Sequence, residues 1–150
     1  MKTLIAYYSR TKITEEVAEA IQKELNCDIE EISTSENYNG ALGYIKGGKH
    51  ATEKSSPEIK FTKNPKDYDL VIIGTPVWAW TMAPPIRTYL SKNKFKNVAF
   101  FCTMGKSGDK KTYLHMKELS KKPKASLSLL TKEIKDNNYK EKISNFIKEL

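Results

Sequence analysis

Near its N-terminus the chain contains Leu4-Ile5-Ala6-Tyr7-Tyr8-Ser9-Arg10-Thr11-Lys12-Ile13-Thr14, and this stretch decides the fold class. Its first five residues form a continuous apolar run, which is typical of a strand covered on both faces. Val17, Ile21 and Leu25 then recur at helical spacing, so a helix follows the strand directly. A buried strand that passes into a helix predicts the beginning of a βαβ unit with parallel strands.

The same alternation continues along the chain. Apolar or alternating runs predict further strands at residues 28–32, 69–74, 97–102 and 125–131, and helices lie between and after them. The least regular segment is 33–66, where Leu42, Tyr44 and Ile45 predict a short helix before Gly47-Gly48. The pattern predicts one α/β domain over residues 1–150, a three-layer sandwich around a five-stranded parallel sheet. In such sheets, ligands bind beyond the carboxyl ends of the strands.

Composition excludes several classes of protein. Of the 150 residues 39% are hydrophobic, enough for burial to compete with chain entropy. No apolar run approaches the roughly 20 residues of a membrane span, and the N-terminal run is too short for a signal peptide. The two cysteines and two histidines lie far apart in sequence, so we expect neither a disulfide framework nor a bound metal. We therefore expect a cytoplasmic protein with buried, reduced thiols and no membrane contact.

The net charge of +8 is unevenly distributed. Residues 92–124 hold ten lysines but only two acidic residues, whereas residues 1–33 hold seven acidic and four basic side chains. Only two basic residues are arginine, the usual donor to base edges, so we expect no nucleic-acid partner. The lysines predict either a solvated face or a docking patch for an acidic partner.

Three loops follow predicted strands, and each suits a ligand. The stretch Ser9–Thr14 opens a helix, whose N-terminal amides and hydroxyls favour a phosphate, although hydroxyls also simply cap helices. The stretch 74–85 holds both tryptophans, Trp78 and Trp80. Their rings favour stacking on a flat aromatic cofactor, the alternative being that they pack on the domain itself. The stretch 103–109 contains Gly105 and Gly108, which allow a close backbone approach to a ligand or form a flexible turn.

These three loops together resemble those of the flavodoxins, small electron carriers that bind FMN. The resemblance covers essentially the whole chain and implies the flavodoxin strand order 2-1-3-4-5. It implies that the first loop wraps the phosphate and that the other two flank the flavin ring. The cofactor-binding residues implied in this way are Ser9, Arg10, Thr11, Lys12, Ile13, Thr14, Thr75, Pro76, Val77, Trp78, Ala79, Trp80, Thr103, Met104, Gly105 and Gly108.

Two positions depart from the family's pattern. Lys12 stands where flavodoxins usually have glycine, and a residue other than glycine adopts a positive φ only at a cost. Many flavodoxins have an aromatic residue in the second flavin loop, where this chain has Met104 and Lys106. One face of the ring is then expected to be open.

The resemblance favours a monomeric electron-transfer protein over a stand-alone enzyme. Its partners would be redox proteins, for example an acidic ferredoxin-like protein or a flavodoxin reductase. The alternative is a flavodoxin-like oxidoreductase that passes hydride from NAD(P)H through FMN to a quinone or another acceptor. A third class, an interaction module without flavin, stays open at this stage. No catalytic side chain is assigned, because the cofactor would carry the chemistry.

Overall fold

The computed structural model describes residues 1–150, which form a parallel sheet between two layers of helices. The elements follow in the order β1 (Thr3–Tyr7), α1 (Ile13–Leu25), β2 (Asp28–Glu31), β3 (Ser33–Thr34), α2 (Gly40–Thr52), β4 (Ile59–Lys60), a 3₁₀ turn (Pro65–Asp67), β5 (Leu70–Trp78), β6 (Thr81–Met82), α3 (Pro84–Lys92), β7 (Val98–Met104), α4 (Asp109–Leu119), β8 (Ser126–Leu130), α5 (Thr131–Lys135) and α6 (Lys140–Lys148).

The main sheet has the order β2-β1-β5-β7-β8, and each neighbouring pair in it is parallel. This confirms the predicted α/β fold, its five principal strands and the order 2-1-3-4-5. One short strand was not predicted in this sheet, since β6 pairs antiparallel with the end of β5. The strands β3 and β4 form a separate two-stranded ribbon.

Each face of the sheet has its own hydrophobic core, because alternate residues of a strand point to opposite faces. Leu4 and Ala6 of β1 contribute to the core under α3 and α4, whereas Ile5 and Tyr7 contribute to the core under α1 and α6. Because both faces are covered, most residues of the central strands are apolar. None of the helices is both long and apolar enough to cross a lipid bilayer.

Two segments differ from their predicted form. The stretch 74–85, predicted as a loop, contains the end of β5, the turn at Ala79-Trp80 and the returning strand β6. The short helix predicted before Gly47-Gly48 instead extends to Thr52 as α2. Gly47 lies within the helix and packs against another part of the chain. A Cβ at this position would lie 2.9 Å from Cζ3 of Trp78, so the glycine allows the helix and the ring to come close. The predicted strand 125–131 ends at Leu130, where α5 begins.

Candidate functional site

Three of the predicted loops meet at one edge of the sheet, because β1, β5 and β7 are adjacent and parallel. Tyr7 at the end of β1 pairs with Gly74 of β5, and Pro76 of β5 pairs with Thr103 of β7. The segments that follow these strands therefore lie side by side at the carboxyl edge.

The first loop, residues 9–14, presents backbone donors. Lys12 is the residue before α1 and has φ 67° and ψ 1°, the left-handed conformation that favours glycine. Its side chain makes no capping hydrogen bond. The backbone N–H groups of residues 10–14 donate to no acceptor in the protein, and the first donor in use is that of Glu15, 3.3 Å from Oγ of Ser9. A left-handed residue followed by a helix start is a concave set of amides that suits an anion.

The hydroxyl groups of this loop have different surroundings. Thr11 is exposed, whereas Thr14 is only 2% exposed. The hydroxyl oxygen of Thr14 lies 2.8 Å from that of Thr103, which joins the first loop to the end of β7. Ile13 is half-buried and packs against the core under α1. Ser9 and Thr14 use their hydroxyl groups in hydrogen bonds within the protein, whereas the hydroxyl of Thr11 makes none.

The second predicted loop is a tight hairpin. Val77 pairs with Met82 and Trp78 with Thr81, so Ala79 and Trp80 are the two residues of the turn. Their φ values are 49° and 60°, as a type I′ turn requires at both central positions. Thr75 is fully buried; its hydroxyl accepts from the Ala83 N–H at 3.0 Å and donates to the Pro76 carbonyl at 2.8 Å.

The two tryptophans have different surroundings. Trp78 is half-buried, with its ring edge-to-face against Tyr8 at 5.7 Å and against Tyr38 at 5.2 Å between centroids. Trp80 is 62% exposed at the tip of the hairpin. Trp78 therefore packs on the domain, as one of the two interpretations proposed, whereas Trp80 presents its ring to solvent.

The third loop packs closely against this hairpin. Gly108 has φ 110°, and a Cβ there would lie 2.8 Å from Cγ1 of Val77 and 3.1 Å from Cδ1 of Trp80. This position requires glycine on both grounds. Met104 is half-buried at the end of β7, whereas Gly105 is exposed. The two predicted flavin loops are thus in direct contact.

An open cavity of about 680 Å³ lies between this hairpin and α2. Its walls include four predicted residues, Val77, Trp78, Ala79 and Trp80, and residues from two further segments. These further residues are Lys106, Ser107, Tyr44, Ile45, Gly48, Lys49, Thr52 and Glu53. None of residues 9–14 lines the cavity, but the guanidinium of Arg10 lies 5.4 Å from the centroid of the Tyr44 ring.

The α2 residues of this cavity were missed by sequence reasoning. Tyr44 and Ile45 are each 66% exposed, although they are large and apolar. The only signal in the sequence was an apolar group, which predicted a short helix but no part of the site. Its position beside Trp80 depends on contacts between distant segments.

The exposed charges in and just after the third loop are mainly positive. Lys106, Lys110 and Lys111 are exposed there and form no ion pair, since the ion pairs of the protein involve other lysines. Behind the first loop, burial and the nearby Glu15 raise the pKa of Glu31, and Lys12 opposes this.

Two basic residues, Arg87 and His115, contact the hairpin through the hydroxyl of Thr81. Arg87 is 8% exposed and its Nη2 donates to Oγ1 of Thr81 at 3.1 Å, while its Nε has no partner. Nδ1 of His115 lies 2.7 Å from the same hydroxyl oxygen. Burial lowers the pKa of Arg87, and burial followed by the charge of Arg87 lowers the pKa of His115. With a neutral His115, the Thr81 hydroxyl can donate to Nδ1 of His115 while it accepts from Nη2 of Arg87.

Comparison with known proteins agrees with this geometry. The family model of the flavodoxins matches residues 2–150. The chain belongs to the flavodoxin family. No curated protein matches its sequence.

Solved structures resemble this flavodoxin over nearly its whole length. A flavoprotein from Lactobacillus acidophilus NCFM, crystallised in complex with FMN, is 28% identical and has a TM-score of 0.69, covering 90% of this chain and 97% of its own. A protein from Bacteroides uniformis is 21% identical with a TM-score of 0.80, covering 98% and 97%. Oxidised flavodoxin 2 from Bacillus cereus is 18% identical with a TM-score of 0.62, covering 99% and 97%. The last two similarities concern the fold alone.

The site therefore combines two kinds of surface. The first loop offers unpaired amides that suit a phosphate, and the cavity offers aromatic and aliphatic walls that suit a planar ring.

Proposed function

We propose that this flavodoxin binds FMN without a covalent bond and carries single electrons between redox proteins. The observation that carries the proposal is the row of backbone N–H groups at residues 10–14, which have no acceptor in the protein. Such donors at a helix start suit a phosphate, which distinguishes FMN from riboflavin. The Lactobacillus acidophilus relative, crystallised with FMN, supports the same cofactor.

The rest of the site fits the flavin ring. The cavity volume of about 680 Å³ lies within the range of about 300–1,000 Å³ that is usual for sites of cofactor size. Trp78 and Trp80 line this cavity, so either ring is available for stacking. The predicted residues of the first loop would hold the phosphate, and those of the hairpin and the third loop would hold the ring.

FMN supplies the redox chemistry when it is bound, and the chain has to bind and orient it. The first loop would hold the phosphate end through its amides and the hydroxyl of Thr11. The hairpin would limit the access of water to one side of the ring.

The proposed partner is an acidic redox protein that docks at Lys106, Lys110 and Lys111. All three lysines are exposed and form no ion pair. Lys106 lines the cavity, and Lys110 and Lys111 follow the third loop in the first turn of α4. Unpaired positive charge of this kind accelerates encounter with a negatively charged partner. We propose that the protein acts as a monomer in the cytoplasm, where its free Cys27 and Cys102 would stay reduced.

The purified protein tests the cofactor and the reaction class. We expect a yellow protein, or one that becomes yellow with added FMN, at one flavin per chain. We expect reduction by NADPH only when a separate reductase is present. Rapid oxidation of NADH or NADPH by the protein alone would contradict the carrier and favour the oxidoreductase.

The lysines are tested by stopped-flow transfer to an acidic ferredoxin-like protein. Changing Lys106, Lys110 and Lys111 together to glutamine should slow transfer at low salt. The difference from the parent should disappear above ~0.1 M salt, where the Debye length falls below ~10 Å. Changing Lys121, Lys122 and Lys124 to glutamine is the matched control, because these lysines are exposed but follow the C-terminal end of α4, whereas Lys110 and Lys111 lie at its start. A parent rate that does not depend on salt would contradict the docking patch.

A further inference from the structure

One side of the cavity is formed by α2, a helix held in place by the protein itself. Gly47 packs against the Trp78 ring, and Gly43 packs against the backbone of Tyr38, where a Cβ would lie 2.1 Å from the carbonyl carbon. The hydroxyl of Tyr38 lies 2.9 Å from Nδ1 of His50, and Lys46 pairs with Glu36. These contacts within the protein hold α2 beside the hairpin.

Tyr44 is the aromatic residue that α2 contributes to this cavity. It lines the cavity together with Trp78 and Trp80, yet it is 66% exposed. A large ring that stays in water beside an apolar cavity gains burial when a planar ligand enters. The centroid of its ring also lies 5.4 Å from the guanidinium carbon of Arg10, so Tyr44 contacts both the first loop and the cavity.

The third loop does not offer an alternative to Tyr44. Its residues 103–109 include no aromatic side chain, and the cavity residues from this loop are Lys106 and Ser107. Ile45, the other large apolar residue of α2 at the cavity, adjoins Tyr44 and is equally exposed. A ring within the cavity would therefore lie between the hairpin tryptophans and the α2 side.

We propose that Tyr44 forms the second aromatic wall of the flavin site, opposite the hairpin that carries Trp78 and Trp80. This inference rests on the proposed binding of FMN. It replaces the expectation that one face of the ring is open with a wall supplied by a helix distant in sequence. The wall acts on the ring, so its contribution to binding is the same for FMN and for riboflavin.

The affinities of the apoprotein for FMN and for riboflavin test this wall. We expect Tyr44→Ala to weaken both by the same factor, about tenfold, the order expected for a lost aromatic pair. We expect Tyr44→Phe to stay within about twofold of the parent, because the ring is kept. Leu42→Ala is the matched control: Leu42 is 84% exposed on the same helix but does not line the cavity.

Each outcome has one meaning, provided that far-UV circular dichroism shows the same apoprotein fold in all variants. Unchanged FMN affinity in Tyr44→Ala would overturn the wall and leave FMN binding intact. A loss confined to FMN would also overturn it, since Tyr44 would then act through Arg10 on the phosphate. If the parent protein does not bind FMN, the proposed function fails, and the wall fails with it.

Discussion

The first loop and the hairpin both hold residues other than glycine in the left-handed region, but they are stabilised in different ways. Lys12 has φ 67° in the first loop, and Ala79 and Trp80 have φ 49° and 60° in the hairpin. Lys12 is fixed by its immediate neighbours in sequence, at the start of a helix. The hairpin turn is fixed by side chains from elsewhere, because Gly108 packs under Trp80 and Arg87 and His115 hold Thr81.

This difference matches the two parts of the proposed ligand. A phosphate needs several backbone donors from one short segment, and a helix start supplies them without help from distant residues. A planar ring needs side-chain walls on two sides, and these come from β5, the third loop and α2. Loss of the exposed Thr11 side chain in the first loop should therefore affect FMN affinity alone, whereas loss of the packed Trp78 ring at the hairpin should also affect folding.

The largest expected effect separates the two tryptophans. Trp78→Ala should lower the free energy of unfolding of the apoprotein by about 3 kcal/mol, because it removes a packed ring from Tyr8, Tyr38 and Gly47. Trp80→Ala should change it by less than ~0.5 kcal/mol, since the side chain is exposed. Urea unfolding followed by circular dichroism measures both, and equal losses would contradict the comparison.

FMN affinity tests the stacking role of the same two residues. Loss of the ring that stacks on the flavin should cost about 1–3 kcal/mol of binding free energy. The parent's tryptophan fluorescence should fall strongly when FMN binds. If both alanine variants bind FMN like the parent, neither tryptophan stacks on the ring.

The two threonines of the first loop sharpen the comparison within one segment. Thr11→Ala and Thr14→Ala should each weaken FMN binding by roughly 1.5–3 kcal/mol, the contribution of a hydrogen bond to a charged group. Only Thr14→Ala should also destabilise the apoprotein, by about 1–3 kcal/mol, because Thr103 then loses its buried partner. Isothermal titration and urea unfolding of both variants provide the test. Equal stabilities of the two apoproteins would be the contrary result.

Lys12→Gly tests the strain of the first loop. The apoprotein should become more stable by about 1 kcal/mol, because glycine takes a φ of 67° without the usual cost. Lys12→Ala is the control, since it removes the charge but keeps the strain. An unchanged or lower stability of Lys12→Gly relative to Lys12→Ala would contradict the argument. FMN binding then decides the role of the charge: tighter binding by Lys12→Gly refutes a lysine clamp on the phosphate, and weaker, less salt-dependent binding supports it.

The smallest effect concerns pH and His115. Burial, and then the charge of Arg87, lower the pKa of His115 in the folded protein, with Lys111 and Lys54 acting in the same direction and Glu118 opposing. The unfolded chain therefore takes up this proton at higher pH, near ~6.5, than the folded protein does. Its contribution to stability is present above that pH and is lost as the pH falls through the folded pKa.

His115→Gln should flatten this part of the pH dependence, because the amide oxygen can still accept from Thr81 but does not titrate. Urea unfolding of the parent and the variant between pH 7.5 and pH 5 measures the difference in their free energies of unfolding. This range includes the ordinary histidine pKa of ~6.5. A parent that becomes relatively more stable than the variant on acidification would contradict the neutral His115.

The parts of the site differ in how far the sequence could predict them. The strands and the helix start that follows the first loop were predictable, because they are continuous segments whose conformation follows from local rules. The hairpin was not, because Ala79-Trp80 lacks the Asn-Gly or Asp-Gly signal of a type I′ turn. The place of Tyr44 was not predictable either. It depends on Gly47 packing against Trp78, a contact between segments about thirty residues apart that no local pattern reveals.

The central claim is that the amides of the first loop hold the phosphate of FMN, and paired titrations of the apoprotein with FMN and riboflavin test it most directly. Both ligands have the same ring, so the walls of the cavity contribute equally to each. The account predicts one FMN per chain and a much weaker affinity for riboflavin, because riboflavin leaves the N–H groups of residues 10–14 without an acceptor. Equal affinities for FMN and riboflavin would contradict it.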